Sequence, residues 1–164
     1  MVKSLTWRKK FFSSCYSFFS NGSPVGFLKE DMWGQSSEGV IDGKHYTIKS
    51  KGVFGQKATV INTGTGMPEA SITFNSWRTK AKINVGSTIY SWQYNNAWNS
   101  KWNMVGWNGE QLHFSSSGQQ GIAQSNSDDS LLLLLGIYTH NAFRVKATST
   151  VFIALIPIWI SILN

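Results

Sequence analysis

A single cysteine, Cys15, stands in the whole chain. A monomer therefore has no disulfide framework, and no cysteine-rich zinc site can be assembled. One thiol fits a reducing compartment. Set among aromatics in "FFSSCYSFF", it predicts a buried structural group rather than a nucleophile. Proline is nearly as scarce: Pro24, Pro68 and Pro157 are the three present, and the first two sit at breaks in the pattern. Acidic residues number eight against fifteen lysines and arginines. Carboxylate pairs for glycoside hydrolysis are not indicated by any spacing, and Asp128 and Asp129 suit helix capping better than catalysis. The three histidines, His45, His113 and His140, are scattered, with no i, i+4 pair and no HExxH motif. Each predicts an ordinary strand or loop histidine. Gly64 and Gly66 in "NTGTG" follow a strand but precede no helix, which argues against a phosphate loop. No metal, cofactor or reaction is indicated, and the chain predicts a protein that is not an enzyme.

The N-terminal stretch does not read as a secretory leader either. "MVKSLTWRKKFF" places its charges where an apolar stretch would have to lie, so a cytoplasmic protein is predicted. Charged residues make up 14% of the chain, and aromatics make up as much, a composition that folds. At 164 residues there is room for one domain with a sizeable core. The net charge is +7 and the pI near 9.6. This balance favours anionic partners, either nucleic acid or acidic lipid headgroups. The clusters "WRKK" and "WRTKAK" are too short to mark nucleic acid.

What the chain does have is a run of short strands between about residues 5 and 125. "KHYTIKSKG" alternates His45, Thr47 and Lys49 on one face with Tyr46 and Ile48 on the other. "KATVIN", "ASITFNSW", "AKINV", "STIYSWQY", "KWNMVGW" and "QLHFSS" are similar, and Gly, Asn or Ser breaks recur between them. Evenly spaced strands of this kind predict an antiparallel sandwich or barrel. "IDGK" predicts a tight hairpin, and the Asn-Gly of "GWNGEQ" predicts a type I′ turn.

The character then changes in "SDDSLLLLLGIYTHNAF". Ser127, Asp128 and Asp129 supply cap and first-turn residues, and the leucine run that follows predicts a helix over about 129–142. Apolar almost all round, this helix is buried or embedded. Leu131 to Tyr138 falls well short of the roughly 20 apolar residues that span a bilayer, so a core helix is expected. A second apolar run fills the end of the chain. Arg144 and Lys146 precede it and Trp159 lies near its far side, which suits a membrane anchor or membrane-dipping helix built on Val151, Phe152, Ile153, Leu155, Ile156, Ile158, Trp159 and Ile160. The competing reading packs this run into the globular core.

The stretches "IDGKHYTIKSKGVFGQKATVINTGTGMPEASITF", "KINVGSTIYSW" and "SDDSLLLLLGIYTHN" together resemble the tubby C-terminal-like fold of tubby proteins, phospholipid scramblases and LURP-one-related proteins. The resemblance covers roughly residues 5–143. It implies a mainly β domain, a closed antiparallel barrel of about twelve strands around a central hydrophobic helix, over residues 1–143. Residues 144–164 remain as a separate apolar C-terminal tail, a departure from the family, in which the central helix usually ends the domain. The family's phosphoinositide binding or lipid movement implies a lipid-related role, although no motif carries a particular lipid-site residue across.

Two surfaces are candidates for such a role. Arg78, Lys80 and Lys82 alternate in "WRTKAKI" and so share a strand face, opposite Trp77, Thr79, Ala81 and Ile83. Trp98, Lys101 and Trp102 stand in the polar loop "NNAWNSKWN". Trp77, Trp92, Trp98, Trp102 and Trp107 fall within about thirty residues, and Trp77 and Trp92 are expected to fill the interior. The expected function is binding of anionic membrane lipid, or of a membrane partner, at the cytoplasmic face of a membrane. The alternative is a soluble, cytoplasmic small-ligand or carbohydrate-binding module with its tail packed inside.

Overall fold

The computed structural model describes residues 3–30, 35–51 and 56–145, and the predicted anchor from Val151 to Ile160 lies outside them. Twelve strands follow one another: β1 (Lys3–Lys9), β2 (Cys15–Ser20), β3 (Ser23–Glu30), β4 (Ser36–Ile41), β5 (Lys44–Lys51), β6 (Lys57–Asn62), β7 (Pro68–Phe74), β8 (Lys80–Val85), β9 (Thr88–Tyr94), β10 (Lys101–Gly106), β11 (Gln111–Ser117) and β12 (Gln120–Ser125). Each pairs antiparallel with the next, and β1 pairs with β12 from Lys3↔Ser125 to Arg8↔Gln120, closing the barrel. Closure leaves no unpaired sheet edge. A helix, α1, occupies 130–145.

The period-2 pattern decides which side chains enter the barrel. Tyr46 and Ile48 of β5 point in, as do Trp102 and Met104 of β10, all nearly inaccessible to solvent. Hydroxyl, amide and lysine side chains share the outer face. An apolar interior with a polar exterior is the reverse of a barrel that spans lipid. Inside, every residue of α1 from Ser130 to Phe143 is buried. The all-apolar face that a free helix cannot hide is thus wrapped on every side. α1 begins one residue later than expected and runs to Val145, beyond the expected end at 142. Asp129 Oδ1 accepts the amide of Leu131 at 2.9 Å and caps the helix, while Ser127 Oγ accepts the amide of Asp129 at 3.2 Å in the turn that leads into it.

Turn chemistry fits the hairpins. Asp42 and Gly43 take φ of 48° and 76°, the two positive values that a type I′ turn requires. The expected type I′ turn at Asn108-Gly109 is replaced by a longer connection. There only Gly109 is left-handed, at 85°, and its amide donates to the carbonyl of Gly106 at 3.1 Å. Cys15 is a half-buried free thiol rather than a core group.

Candidate lipid-facing end of the barrel

Because all neighbours are antiparallel, the connections alternate between two ends. The head surrounds the start of α1. There Lys3 Nζ donates to Ser130 and forms an ion pair with Asp42 at 3.1 Å, while Ser130 also donates to Asp42. The base surrounds the finish of α1. There Tyr16 Oη donates to Asn141 Oδ1 at 2.5 Å, and the rings of Phe74 and Phe143 meet edge-on at 5.3 Å. The fully described hairpin tips at the base join β1 to β2, β7 to β8, β9 to β10 and β11 to β12.

Charge divides sharply between these ends. The head half carries Asp42, Glu69, Glu110, Asp128 and Asp129 against Lys3 and Lys44. Among the described residues, the base half carries Arg8, Lys9, Lys10, Lys29, Lys49, Lys51, Lys57, Arg78, Lys80, Lys82, Lys101 and Arg144 against Glu30 and Glu38. The division complements the dipole of α1, whose positive end meets the acids and whose negative end meets the bases. It also goes further than complementarity needs. Lys51 of β5 lies directly opposite Lys57 of β6, a like-charge pairing that a sheet ordinarily avoids. Such crowding is relieved when an anion lies over it.

Exposed apolar side chains also concentrate at the base. Phe11 and Phe12 are 75% and 104% exposed at the β1–β2 tip, with their rings in edge contact at 5.6 Å. Trp77 is 86% exposed at the β7–β8 tip and Trp98 89% at the β9–β10 tip. Val145, at the end of α1, is also exposed. Among the described large apolar residues, the head exposes Met67 and Trp107, and the wall Ile122.

These placements revise the sequence reading. Lys80 and Lys82 do share the outer face of β8, and Lys101 opens β10 on the outside. Arg78 does not continue that face. It sits in the turn before β8 with φ of 57°, because β7 stops at Phe74 and β8 starts only at Lys80. Trp77 stands in the same turn, exposed rather than interior, while Trp92 is interior as expected. Trp98 and Trp102 are parted rather than joined. Trp98 is outside, whereas Trp102 is wholly buried, stacked on Phe114 at 5.4 Å and on His140 at 3.9 Å. Trp102 therefore cannot face a ligand at the surface. The alternation "KWNMVG", which places Trp102 and Met104 on one face, is the signal that marks it as interior. His140 is neither a strand nor a loop residue. It lies on α1, bonded through Nδ1 to Tyr94 Oη at 3.0 Å, and burial, helped by the cations Arg144 and Lys9, pushes its pKa down to about 3. The Phe11–Phe12 tip was missed, since nothing in "RKKFFSS" distinguishes a turn from a strand.

The head holds a cavity of about 670 Å³, lined by Asp42, Tyr46, Glu69, Asp128, Asp129 and Ser130 among others. Three of its acids are already engaged. Lys3 and Ser130 hold Asp42, keeping its carboxyl below the ordinary range, Asn62 Nδ2 donates to Glu69 at 2.7 Å, and Asp129 caps α1. Among the described residues no cluster of His, Cys, Asp or Glu can hold a metal ion. No described helix is long and apolar enough to cross a membrane.

The architecture has a counterpart of known structure. The X-ray structure of the Arabidopsis thaliana protein AT5G01750 superposes with a TM-score of 0.57 at 11% sequence identity, over 85% of this chain and 90% of that chain. The two proteins share a fold. At that identity the likeness extends no further than the closed barrel. No protein-family model matches the chain, and no curated protein matches it.

Proposed function

We propose that this protein is a non-enzymatic membrane-surface binder of the tubby C-terminal-like, LURP-one-related class, which docks on anionic lipid at the cytoplasmic face of a membrane through the base of its barrel. The observation that carries this reading is the division of charge between the two ends. A bilayer that contains acidic lipid attracts each nearby lysine or arginine by about 1 kcal/mol. The base brings a dozen such residues to one end, among them Lys80, Lys82 and Lys101. Exposed Phe11, Phe12, Trp77 and Trp98 stand among these charges, and aromatic rings of this kind settle at the headgroup layer. α1 also finishes at this end.

The rival reading, a ligand held inside the barrel, loses its space because α1 fills the interior from Ser130 to Phe143.

The test is vesicle co-sedimentation, comparing phosphatidylcholine alone with phosphatidylcholine containing phosphatidylserine. Binding is expected only with the acidic lipid. It should fall steeply between about 0.1 M and about 1 M salt, as the screening length drops from about 10 Å to about 3 Å. Lys80→Glu with Lys82→Glu should weaken it about tenfold or more. Equal binding to neutral vesicles, or no binding at low salt, refutes the reading.

A further inference from the structure

Two neighbouring tips at the base are built to one plan. The first reads Asn75-Ser76-Trp77-Arg78-Thr79-Lys80 and the second Asn96-Ala97-Trp98-Asn99-Ser100-Lys101. In each, the leading asparagine organises the loop. Asn75 Oδ1 accepts the amides of Thr79 and Lys80 at 2.9 and 3.0 Å, and Asn96 Oδ1 accepts those of Ser100 and Lys101 at 3.0 and 3.0 Å. Asn75 Nδ2 donates to Thr79 Oγ1 at 3.1 Å, and Asn96 Nδ2 to Ser100 Oγ at 2.8 Å. The residue after each tryptophan is left-handed, Arg78 at 57° and Asn99 at 54°, and its amide returns to the asparagine carbonyl at 3.2 Å in both loops.

A left-handed residue other than glycine is disfavoured, and an indole held in water gains nothing from the fold. Yet both loops keep the two features together, and both end in a lysine that opens the next strand. The β7–β8 and β9–β10 hairpins are consecutive around the barrel, so the tips stand about two strand spacings apart, roughly 10 Å. The result is a pair of indoles on stiff, internally bonded loops, each with a cation beside it.

Resting on the docking mode proposed above, we infer that Trp77 and Trp98 are paired interfacial anchors that hold the base in the headgroup layer of an anionic bilayer, with the axis of α1 steeply inclined to the membrane plane. Tryptophan prefers that layer, where its ring meets both acyl chain and water. The adjacent lysines reach the phosphates. Loops ordered in advance lose little freedom on docking. The surplus positive charge around both tips favours acidic lipid over a neutral sugar as the occupant.

The test uses the full chain and vesicles containing phosphatidylserine, with brominated acyl chains to quench tryptophan by contact. In a Trp33→Phe, Trp159→Phe background, Trp77→Phe with Trp98→Phe should abolish most of the remaining quenching. Trp107→Phe, which alters an exposed indole at the head, should leave it intact. Trp77→Ala with Trp98→Ala should weaken vesicle binding about tenfold or more, with an unchanged unfolding midpoint, because both rings lie outside the core. If the wild-type protein fails to bind acidic vesicles, the docking mode itself falls and this inference with it. Undiminished binding by the double alanine variant overturns the anchors alone. So does quenching that follows Trp107, and so does a fluorescence shift of Trp77 and Trp98 with neutral oligosaccharide in place of lipid.

Discussion

Replacing Gly136 with alanine ought to stabilise an ordinary helix by about 1 kcal/mol. Here it should do the opposite. A Cβ built on Gly136 lies 2.2 Å from Cζ of Phe114, with both Cε atoms of that ring within 2.9 Å. Carbon atoms in good contact stand about 3.5–4.0 Å apart, so the ring must retreat by more than an ångström. It has nowhere to go. Phe114 is stacked on Trp102 at 5.4 Å, and Trp102 is stacked on His140, one turn further along α1, at 3.9 Å. The Trp92 indole also donates to the Gly136 carbonyl at 3.1 Å and fixes the helix at this level. Overpacking of a tight core costs about 1–3 kcal/mol and occasionally more. A contact this short belongs at the upper limit, so after the helix gain we expect a net loss of about 2 kcal/mol. For a chain of this size that lowers the melting temperature by roughly 4–8 °C. Urea titration followed by tryptophan fluorescence measures the loss directly, with an unchanged slope showing that the unfolded state is unaltered. In a Phe114→Ala background the same substitution should become neutral or favourable, giving a coupling of roughly 2–3 kcal/mol between the two sites. A Gly136→Ala protein more stable than its parent would refute the placement of this helix face against β11.

Protonation of buried His140 is resisted in the folded state, so below the ordinary histidine pKa of about 6.5 the unfolded chain binds the extra proton. Stability should fall as pH drops from there toward about 3, by up to about 1.4 kcal/mol per pH unit from this group; His140→Gln should flatten the pH dependence of the urea midpoint. At the head, Asp42 has a lowered pKa, chiefly through Ser130 and then Lys3. Its contribution is therefore present above the usual carboxylate range and fades as pH falls through its folded value, so Asp42→Asn should lose stability at pH 7 and converge with the parent in acid, as read by thermal melts. At the base, Phe11→Ser with Phe12→Ser should leave the melting temperature unchanged, because both rings are exposed. It should also reduce the fraction of vesicle binding that survives about 1 M salt, where charge attraction is screened.

Much of this architecture was legible because the relevant signals are local and periodic. The alternation in "KHYTIKSKG" marked Tyr46 and Ile48 as interior, and the leucine run after Asp129 could only be a wrapped helix once its length ruled out a bilayer span. What was not legible depends on where strands stop. Trp77 continues the alternation of β8 on paper, but Asn75 captures the amides of Thr79 and Lys80 and turns the chain before the pattern can be used. Trp98 and Trp102 sit four residues apart in one polar stretch, and only the cap at Asn96 divides them into outside and inside. The charged end escaped notice for a different reason. Its lysines are dispersed along the sequence from Lys9 to Lys101, and only the up-and-down order of the strands gathers them.

Pairing β1 with β12 has a consequence for synthesis. The first strand made must wait for the twelfth before the cylinder can be sealed, and the plug that fills it is translated later still. While the ribosome works, the nascent sheet is an open trough with its greasy side uncovered, held together only by successive hairpins. Productive folding therefore waits until the plug has emerged, and a product cut short before residue 130 has a lumen with nothing to occupy it.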